Sequence, residues 1–283
     1  MLGREPKPEE LPGHLGFVGA PLEAVVKHYL ASAEFQNRQL LALSAEAELL
    51  ALDGFFLYLG KEDTLIAPGI RAGYEPEVTR VFLEHLGLGP VLDLGANCGY
   101  FSLLAASRGV SVYAFEPLQP NLRLLEASVV LNRFERVRIL AAAASDSFRT
   151  LTITGSFNGI VGEPHASAAQ ALSASYVPAV PVDAVIPAEE RISLIKIDVE
   201  GHERAALRGA LATIRRSRPV ILSEFAPAHL AANSHCSGAD YLAWLFSLDY
   251  QVAVVGNPSA NSVASILASC AGTDHVDLLA LPV

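Results

Sequence analysis

Beyond residue 90, short apolar runs alternate with longer segments of helical period. The runs at 90–94, 111–115, 137–142, 194–198, 220–224, 250–255 and 277–281 are rich in Val, Ile and Leu with little polar alternation, as in strands covered on both faces. Segments 100–107, 120–132, 203–214 and 239–248 carry apolar residues at helical spacing and fill most of the gaps. Strand and helix taking turns predicts an α/β domain: a mainly parallel, seven-stranded sheet with helices on both faces. A further short strand is expected at 151–153, and the segment after Gly256-Asn257-Pro258 is expected to return antiparallel to the sheet. Residues 155–181 are rich in small residues, lack a period and read as a long loop, which in a compact domain usually serves function.

The first part of the chain has a different rhythm. Pro8-Glu9-Glu10 and Pro21-Leu22-Glu23 put proline and acid where helices begin, and Leu22, Val25, Val26, Tyr29 and Leu30 make one apolar face. A further helix is expected from Ser32 through Leu40 to Leu50. From Phe55 to Leu59 the side chains alternate, and Gly60-Lys61-Glu62-Asp63 before Leu65-Ile66-Ala67 predicts a β-hairpin. Glu75-Pro76-Glu77 opens a helix that runs to His85. The expected organisation is a small N-terminal helical segment, residues 1–52, followed by a domain over residues 53–283.

Composition narrows the class. Apolar residues make up 51% of 283 and charged residues 18%, which supports a packed core rather than disorder. The net charge is -10 with no long basic run, so no nucleic-acid partner is expected. No apolar run reaches the roughly 18 residues of a membrane span, and the charged, proline-rich start is unlike a secretory leader, so the expected location is cytoplasmic. Cys98, Cys236 and Cys270 form neither a disulfide framework nor a zinc pattern.

Three motifs carry chemistry. Val91-Leu92-Asp93-Leu94-Gly95-Ala96-Asn97-Cys98-Gly99-Tyr100 reads as strand, glycine-rich turn and helix start, the first crossover of a nucleotide-type fold. Its glycines are expected to let a ligand approach the backbone. Its spacing is D-x-G-x-x-x-G and not the dinucleotide G-x-G-x-x-G. An acid before the first glycine repels a pyrophosphate and suits a cationic ligand; S-adenosylmethionine, with a sulfonium and an ammonium but no phosphate, fits. Phe115-Glu116-Pro117 ends the next strand, 23 residues after Asp93, where a carboxylate can accept hydrogen bonds from ribose hydroxyls. Leu194-Ile195-Lys196-Ile197-Asp198-Val199-Glu200-Gly201-His202-Glu203 ends a third strand in carboxylates and a histidine. Lys196 either snorkels from an outer strand or pairs with one of those carboxylates.

These motifs, with Tyr74-Glu75-Pro76, Phe101, Ala143-Ala144-Ser145-Asp146 and the closing Leu278-Leu279-Ala280-Leu281-Pro282, resemble the FkbM family of S-adenosylmethionine-dependent methyltransferases over roughly residues 53–283. The resemblance implies a Rossmann-like class I methyltransferase fold and O-methylation of a hydroxyl on a sugar or secondary metabolite. In such a site Asp93 and the backbone of Gly95, Asn97 and Gly99 hold the methionine part, Glu116 takes the ribose, Asn121 and Ala143 lie where the adenine edge is read, and Glu75 closes the methionine end. A hydroxyl acceptor needs a base, for which Asp198, His202 and Glu224 are candidates, His202 having the best intrinsic pKa. Asp198 is also a candidate for the methionine amino group, and Glu200 is expected to cap the turn before Gly201. Asp198, Glu200 and Glu224 could form an all-oxygen Mg²⁺ site, but no ligand spacing marks one, and no metal is assigned. Asn158, His165 and Tyr176 are the polar handles of the expected acceptor loop, and Cys98 is a space-filler. The partner is then a small-molecule or glycan acceptor, and a homo-oligomer is left open. Two other readings stand beside this one: an NAD-linked oxidoreductase on the same sheet, and a non-catalytic binding or scaffold protein on a methyltransferase fold.

Overall fold

A computed structural model describes residues 46–64, 66–154, 160–162 and 174–283. The chain divides into two compact units, residues 1–48 and 49–283. The helices expected before residue 46 lie outside the described residues. At its end the expected helix gives way to a strand: β1 (Ala47–Leu52) pairs with β2 (Phe55–Gly60) in a two-stranded sheet. The hairpin turn is therefore Asp53-Gly54 and not residues 60–63, and of the expected second strand Leu65 lies outside the described residues while Ile66-Ala67 instead start α1 (Ile66–Gly73). Asp63 directs that outcome, because its Oδ1 accepts the Ile66 N–H at 2.9 Å and caps the helix. α2 (Pro76–Glu84) follows, with proline in its first turn.

The next stretch runs β3 (Val91–Leu94), α3 (Tyr100–Ser107), β4 (Val112–Phe115), α4 (Gln119–Asn132) and β5 (Val137–Leu140). It then leaves the main sheet for β6 (Ala143–Ser145), β7 (Arg149–Thr154), β8 (Ile160–Gly162) and β9 (Ala174–Pro181). After α5 (Val182–Val185) it re-enters with β10 (Leu194–Ile197), α6 (Glu203–Gly209), α7 (Leu211–Ser217), β11 (Val220–Phe225), α8 (Pro227–Ser234), α9 (Gly238–Phe246), β12 (Tyr250–Val254), α10 (Val263–Ser269) and β13 (Val276–Pro282).

The main sheet has seven strands in the order β12-β13-β11-β10-β3-β4-β5. β11, β10, β3, β4 and β5 run parallel, and β13 returns antiparallel to both β11 and β12, as the sequence implies. Every residue of β3, β4 and β10 is buried, which is why these segments read as unbroken apolar runs. Each fully buried aliphatic or aromatic side chain, such as Leu92, Leu94, Phe115 or Ile197, contributes on the order of 2 kcal/mol. α4 also holds β2: Asn132 Oδ1 accepts from Phe56 N at 2.8 Å and Ser128 Oγ from Tyr58 N at 2.9 Å, satisfying backbone donors of the hairpin.

The expected long loop at 155–181 is a correction. β8 and β9 belong to a second, four-stranded sheet of order β6-β9-β7-β8, in which β9 pairs with β7 from Arg149↔Ala179 to Thr154↔Ala174. β6 forms because the expected strand 137–142 stops at Leu140; Ala142 N then donates back to Leu140 O at 2.8 Å and turns the chain into the second sheet.

Candidate active site

Strand order reverses between β3 and β10, and an open α/β sheet offers a crevice beyond the carboxyl ends of its strands at such a point. A cavity of about 270 Å³ lies there. Asp93, Glu116, Lys196, Asp198 and Glu224 bring to it the ends of β3, β4, β10 and β11, Glu75 comes from the start of α2, and Ala143 from the start of β6. Asn121, Asn97 and Gly95 line it too.

Asp93 is 2% exposed, and Ser102 in α3 donates to its Oδ2 at 2.6 Å. Burial pushes its pKa up to about 6, against the pull of Ser102 and Lys196. Glu116 organises the opposite side: its Oε2 accepts from Asn97 N at 2.9 Å, and its Oε1 from Leu118 N at 2.8 Å and Asn121 Nδ2 at 3.3 Å. Burial raises it to about 7 despite these bonds. A carboxylate oxygen has two lone-pair directions, so Oε2 keeps one for a ligand hydroxyl.

The glycines act otherwise than expected. At Gly95 (φ 88°) an added Cβ would lie 1.8 Å from the carbonyl oxygen of Asp198, and at Gly99 (φ 99°) 2.4 Å from Leu125 Cδ1. The space each leaves is filled by the protein's own atoms, not reserved for a ligand, and Gly99 does not line the cavity.

Lys196 sits on a central strand, 2% exposed, with Nζ 3.8 Å from Asp198 Oδ2 and 5.1 Å above the Phe101 ring centroid. The snorkelling reading is thereby excluded. Burial lowers its pKa, but Asp198, Glu75, Asp277 and Glu224 more than offset this and keep the ammonium charged. Glu75 is itself raised, first by burial, and its Oε2 is buried with no hydrogen-bond partner.

At the end of β10 the expected roles rearrange. Glu203, not Glu200, holds the turn: its Oε1 accepts from Val199 N at 3.2 Å and Gly201 N at 3.0 Å. Glu200 instead reaches the cavity and His229, 3.1 Å from its Nδ1. Ligand atoms of Glu200, Glu224 and His229 lie within 4.8 Å of one another, so the cluster that forms contains His229 in place of Asp198. His202 lines the cavity, but burial and then the positive charge of Arg149 lower its pKa to about 4. The reason for preferring it as base is therefore removed. Burial, followed by Asp198 and Glu200, pushes Glu224 well above the ordinary carboxylate range. Cys98 is buried, with a thiol pushed up to about 12 by burial, as befits a space-filler. Tyr176 is 59% exposed on β9 and does not line the cavity; Asn158 and His165 lie outside the described residues.

A family model for the methyltransferase FkbM domain matches residues 93–252, more than half of the chain. The chain belongs to the FkbM methyltransferase family. Over an alignment of 85 positions that covers 27% of the chain, it is 44% identical to part of the AMB antimetabolite synthetase AmbE of Pseudomonas aeruginosa. The chain spans only 4% of that much longer protein. Solved structures similar in shape include a methyltransferase FkbM from Methylobacillus flagellatus KT, 20% identical, TM-score 0.43, with 68% of this chain and 43% of that one covered. Another is the Pyrococcus abyssi tRNA (uracil-54, C5)-methyltransferase in complex with S-adenosyl-L-homocysteine, 16% identical, TM-score 0.43, with 84% and 44% covered. Among the described residues no helix is long and apolar enough to cross a membrane.

In this FkbM methyltransferase several site residues carry no sequence signal of their own. Ser102, the partner of Asp93, is one serine among the apolar residues of α3. His275 and His229 reach the site only because β13 folds back beside β11 and α8 packs near the end of β10. Phe101, which follows the glycine turn, becomes meaningful once Lys196 is found above its ring.

The site also sets a pH dependence. Asp93, Glu116 and Glu203 are raised to about 6, 7 and 7, mainly by burial, so the folded state holds their protons more tightly than the unfolded chain does. Their stabilising contribution is complete below about pH 4, the unfolded value, and is lost as pH rises through 6 to 7, each group shifting stability by roughly 3 kcal/mol. His202, lowered to about 4, acts in the opposite sense and offsets one of the three. The ligand-free protein is expected to melt several degrees higher at pH 5.5 than at pH 8; equal melting temperatures by calorimetry would show that these carboxyls are not buried as described.

Proposed function

We propose that this protein transfers the methyl group of S-adenosylmethionine to a hydroxyl of a small-molecule or glycan acceptor. The observation that carries this reading is the charge of the cavity. Among the described residues six acidic side chains line it, those of Glu75, Asp93, Glu116, Asp198, Glu200 and Glu224, against the single ammonium of Lys196; burial keeps several of them partly protonated, and a cationic donor favours their ionised forms. Burial first, and then repulsion from neighbouring carboxylates, raises the pKa values of Glu200 and Glu224, and a cationic ligand relieves the repulsion. A dinucleotide would carry a diphosphate into the same field, which disfavours the oxidoreductase reading.

The residues suit such a donor. The orphaned, buried Oε2 of Glu75 is an acceptor waiting for an ammonium. Asp93 and the Gly95–Asn97 backbone would hold the methionine part, Glu116 the ribose, and Asn121 with Ala143 the adenine edge. When bound, the donor supplies an activated methyl group whose carbon–sulfur bond breaks as the acceptor oxygen attacks. The protein's part is to orient the two, exclude water and take up the acceptor proton.

Glu224 is the best-placed proton acceptor. Asp198 is held in an ion pair with Lys196, and His202 has too little affinity for a proton. Glu224, raised above other carboxyls, is the stronger base once ionised, and a nearby cation favours its ionised form.

The test is to supply donor with a labelled methyl group and a panel of sugars and hydroxylated small molecules. Label in an alkali-stable ether of one acceptor class is the expected result; label only on amines, or none with donor bound, would overturn the reading. Glu75→Gln is expected to weaken donor binding roughly tenfold by loss of a charged hydrogen bond, measured by calorimetry.

A further inference from the structure

A second cavity, of about 260 Å³, shares His202 with the first as a lining residue. Its charge is opposite in sign. Arg149, Arg204 and Arg208 line it together with Asp146 and Ser234. Asp146 stands 3.5 Å from Arg149 and 3.9 Å from Arg208. Arg204 is different: among the described residues it makes no ion pair, its one hydrogen bond runs from Nη1 to Cys236 Sγ at 3.5 Å, and its Nε is buried with no acceptor. A guanidinium placed in a pocket with a buried N–H unsatisfied is costly unless an oxyanion completes it. On the His202 side, Nδ1 is likewise buried without a partner. Among the described residues three guanidiniums line it, and Arg204 has no carboxylate partner there, a setting that suits an ionised phosphate monoester. Arginine forks suit the geometry of such an anion better than that of a neutral hydroxyl.

We propose that this second cavity is an oxyanion pocket that takes a phosphoryl group carried by the methyl acceptor. The proposal rests on the methyltransferase reading for the acceptor, but the pocket itself does not. With the phosphoryl group beside Arg204, the rest of a small acceptor is directed past His202 into the donor cavity, so the pocket selects phosphorylated, hydroxyl-bearing molecules and fixes which hydroxyl faces the donor.

The experiment titrates the full chain by calorimetry with inorganic phosphate, with glycerol 3-phosphate and with acetate, in wild type, Arg204→Gln and Arg208→Gln. Expected are saturable binding of both phosphates, weaker binding of acetate, and a loss of roughly tenfold or more in Arg204→Gln. Arg208, more exposed, is expected to give a smaller loss in the same direction. S-adenosylhomocysteine, titrated into the same samples, is expected to bind all three proteins alike, which establishes that the variants are folded and keeps this test separate from the donor reading. Absence of saturable phosphate binding, or equal binding in wild type and both variants, would overturn the pocket. Binding of inorganic phosphate without binding of the ester would overturn its role as acceptor handle. Failure of S-adenosylhomocysteine to bind while phosphate binding depends on Arg204 would instead overturn the donor reading and leave the pocket standing.

Discussion

Replacing Glu224 by Gln is expected to cut methyl transfer by roughly 10²–10⁴-fold while weakening donor binding far less. The substitution keeps the side chain's size and removes its capacity to ionise and take up a proton. Glu224, the penultimate residue of β11, lines the donor cavity, and burial together with Asp198 and Glu200 makes it a stronger base than an ordinary carboxylate. In the wild type, turnover should rise with pH as Glu224 ionises, because its neutral form has no place for the acceptor proton. In Glu224→Gln that rising limb should vanish, and Glu224→Asp should recover part of the rate. An unchanged pH profile in the Gln variant would move the proton to another group. His202→Gln offers the contrast: its low proton affinity predicts a much smaller effect.

The second large effect is structural. Gly95→Ala is expected to cost roughly 3–5 kcal/mol and to abolish donor binding. Two penalties add there: the left-handed backbone at φ 88° and a Cβ 1.8 Å from the Asp198 carbonyl oxygen. The clash cannot be relieved by a side-chain rotation, because its partner is backbone on the neighbouring strand end. Relief would push β10 away from β3 where Asp93, Lys196 and Asp198 converge. Gly109→Ala is the control. Gly109 has φ 80°, but nothing stands within 4 Å of the point a Cβ would occupy, so it carries only the backbone cost of about 1–2 kcal/mol. Chemical denaturation of both variants separates the two contributions; equal losses would mean that the Asp198 approach is looser than described.

How far the sequence discloses this molecule depends on what kind of signal each element carries. The strands of the main sheet are buried on both faces and therefore announce themselves as apolar runs, and the order of the motifs is enough to assign the acidic residues at their tips to one cleft. β9 gives no such signal, because Pro178 and Pro181 argue against a strand. Yet Val177 and Ala179 face inward while Tyr176 and Pro178 face outward, a period of two hidden by proline and small residues. The hairpin turn at Asp53-Gly54 has a legible two-residue signal, obscured by reading residues 32–50 as one helix. Histidine chemistry is the least legible. His202 looks like a base from its residue type, and only burial beside Arg149 reveals that it holds a proton poorly. The basic second cavity is hidden for a similar reason: Arg149, Arg204 and Arg208 come from two separate elements and are brought together only by the packing of α6 beside β6.

The central claim is that an acidic crevice at the strand tips holds a cationic nucleoside without phosphate. Its most direct measurement is a calorimetric titration of the folded wild-type chain with S-adenosylmethionine, repeated with NADH. The account predicts saturable, one-site binding of S-adenosylmethionine that weakens in Asp93→Asn and Glu116→Gln, and no binding of NADH. Saturable binding of NADH, with none of S-adenosylmethionine, would contradict it.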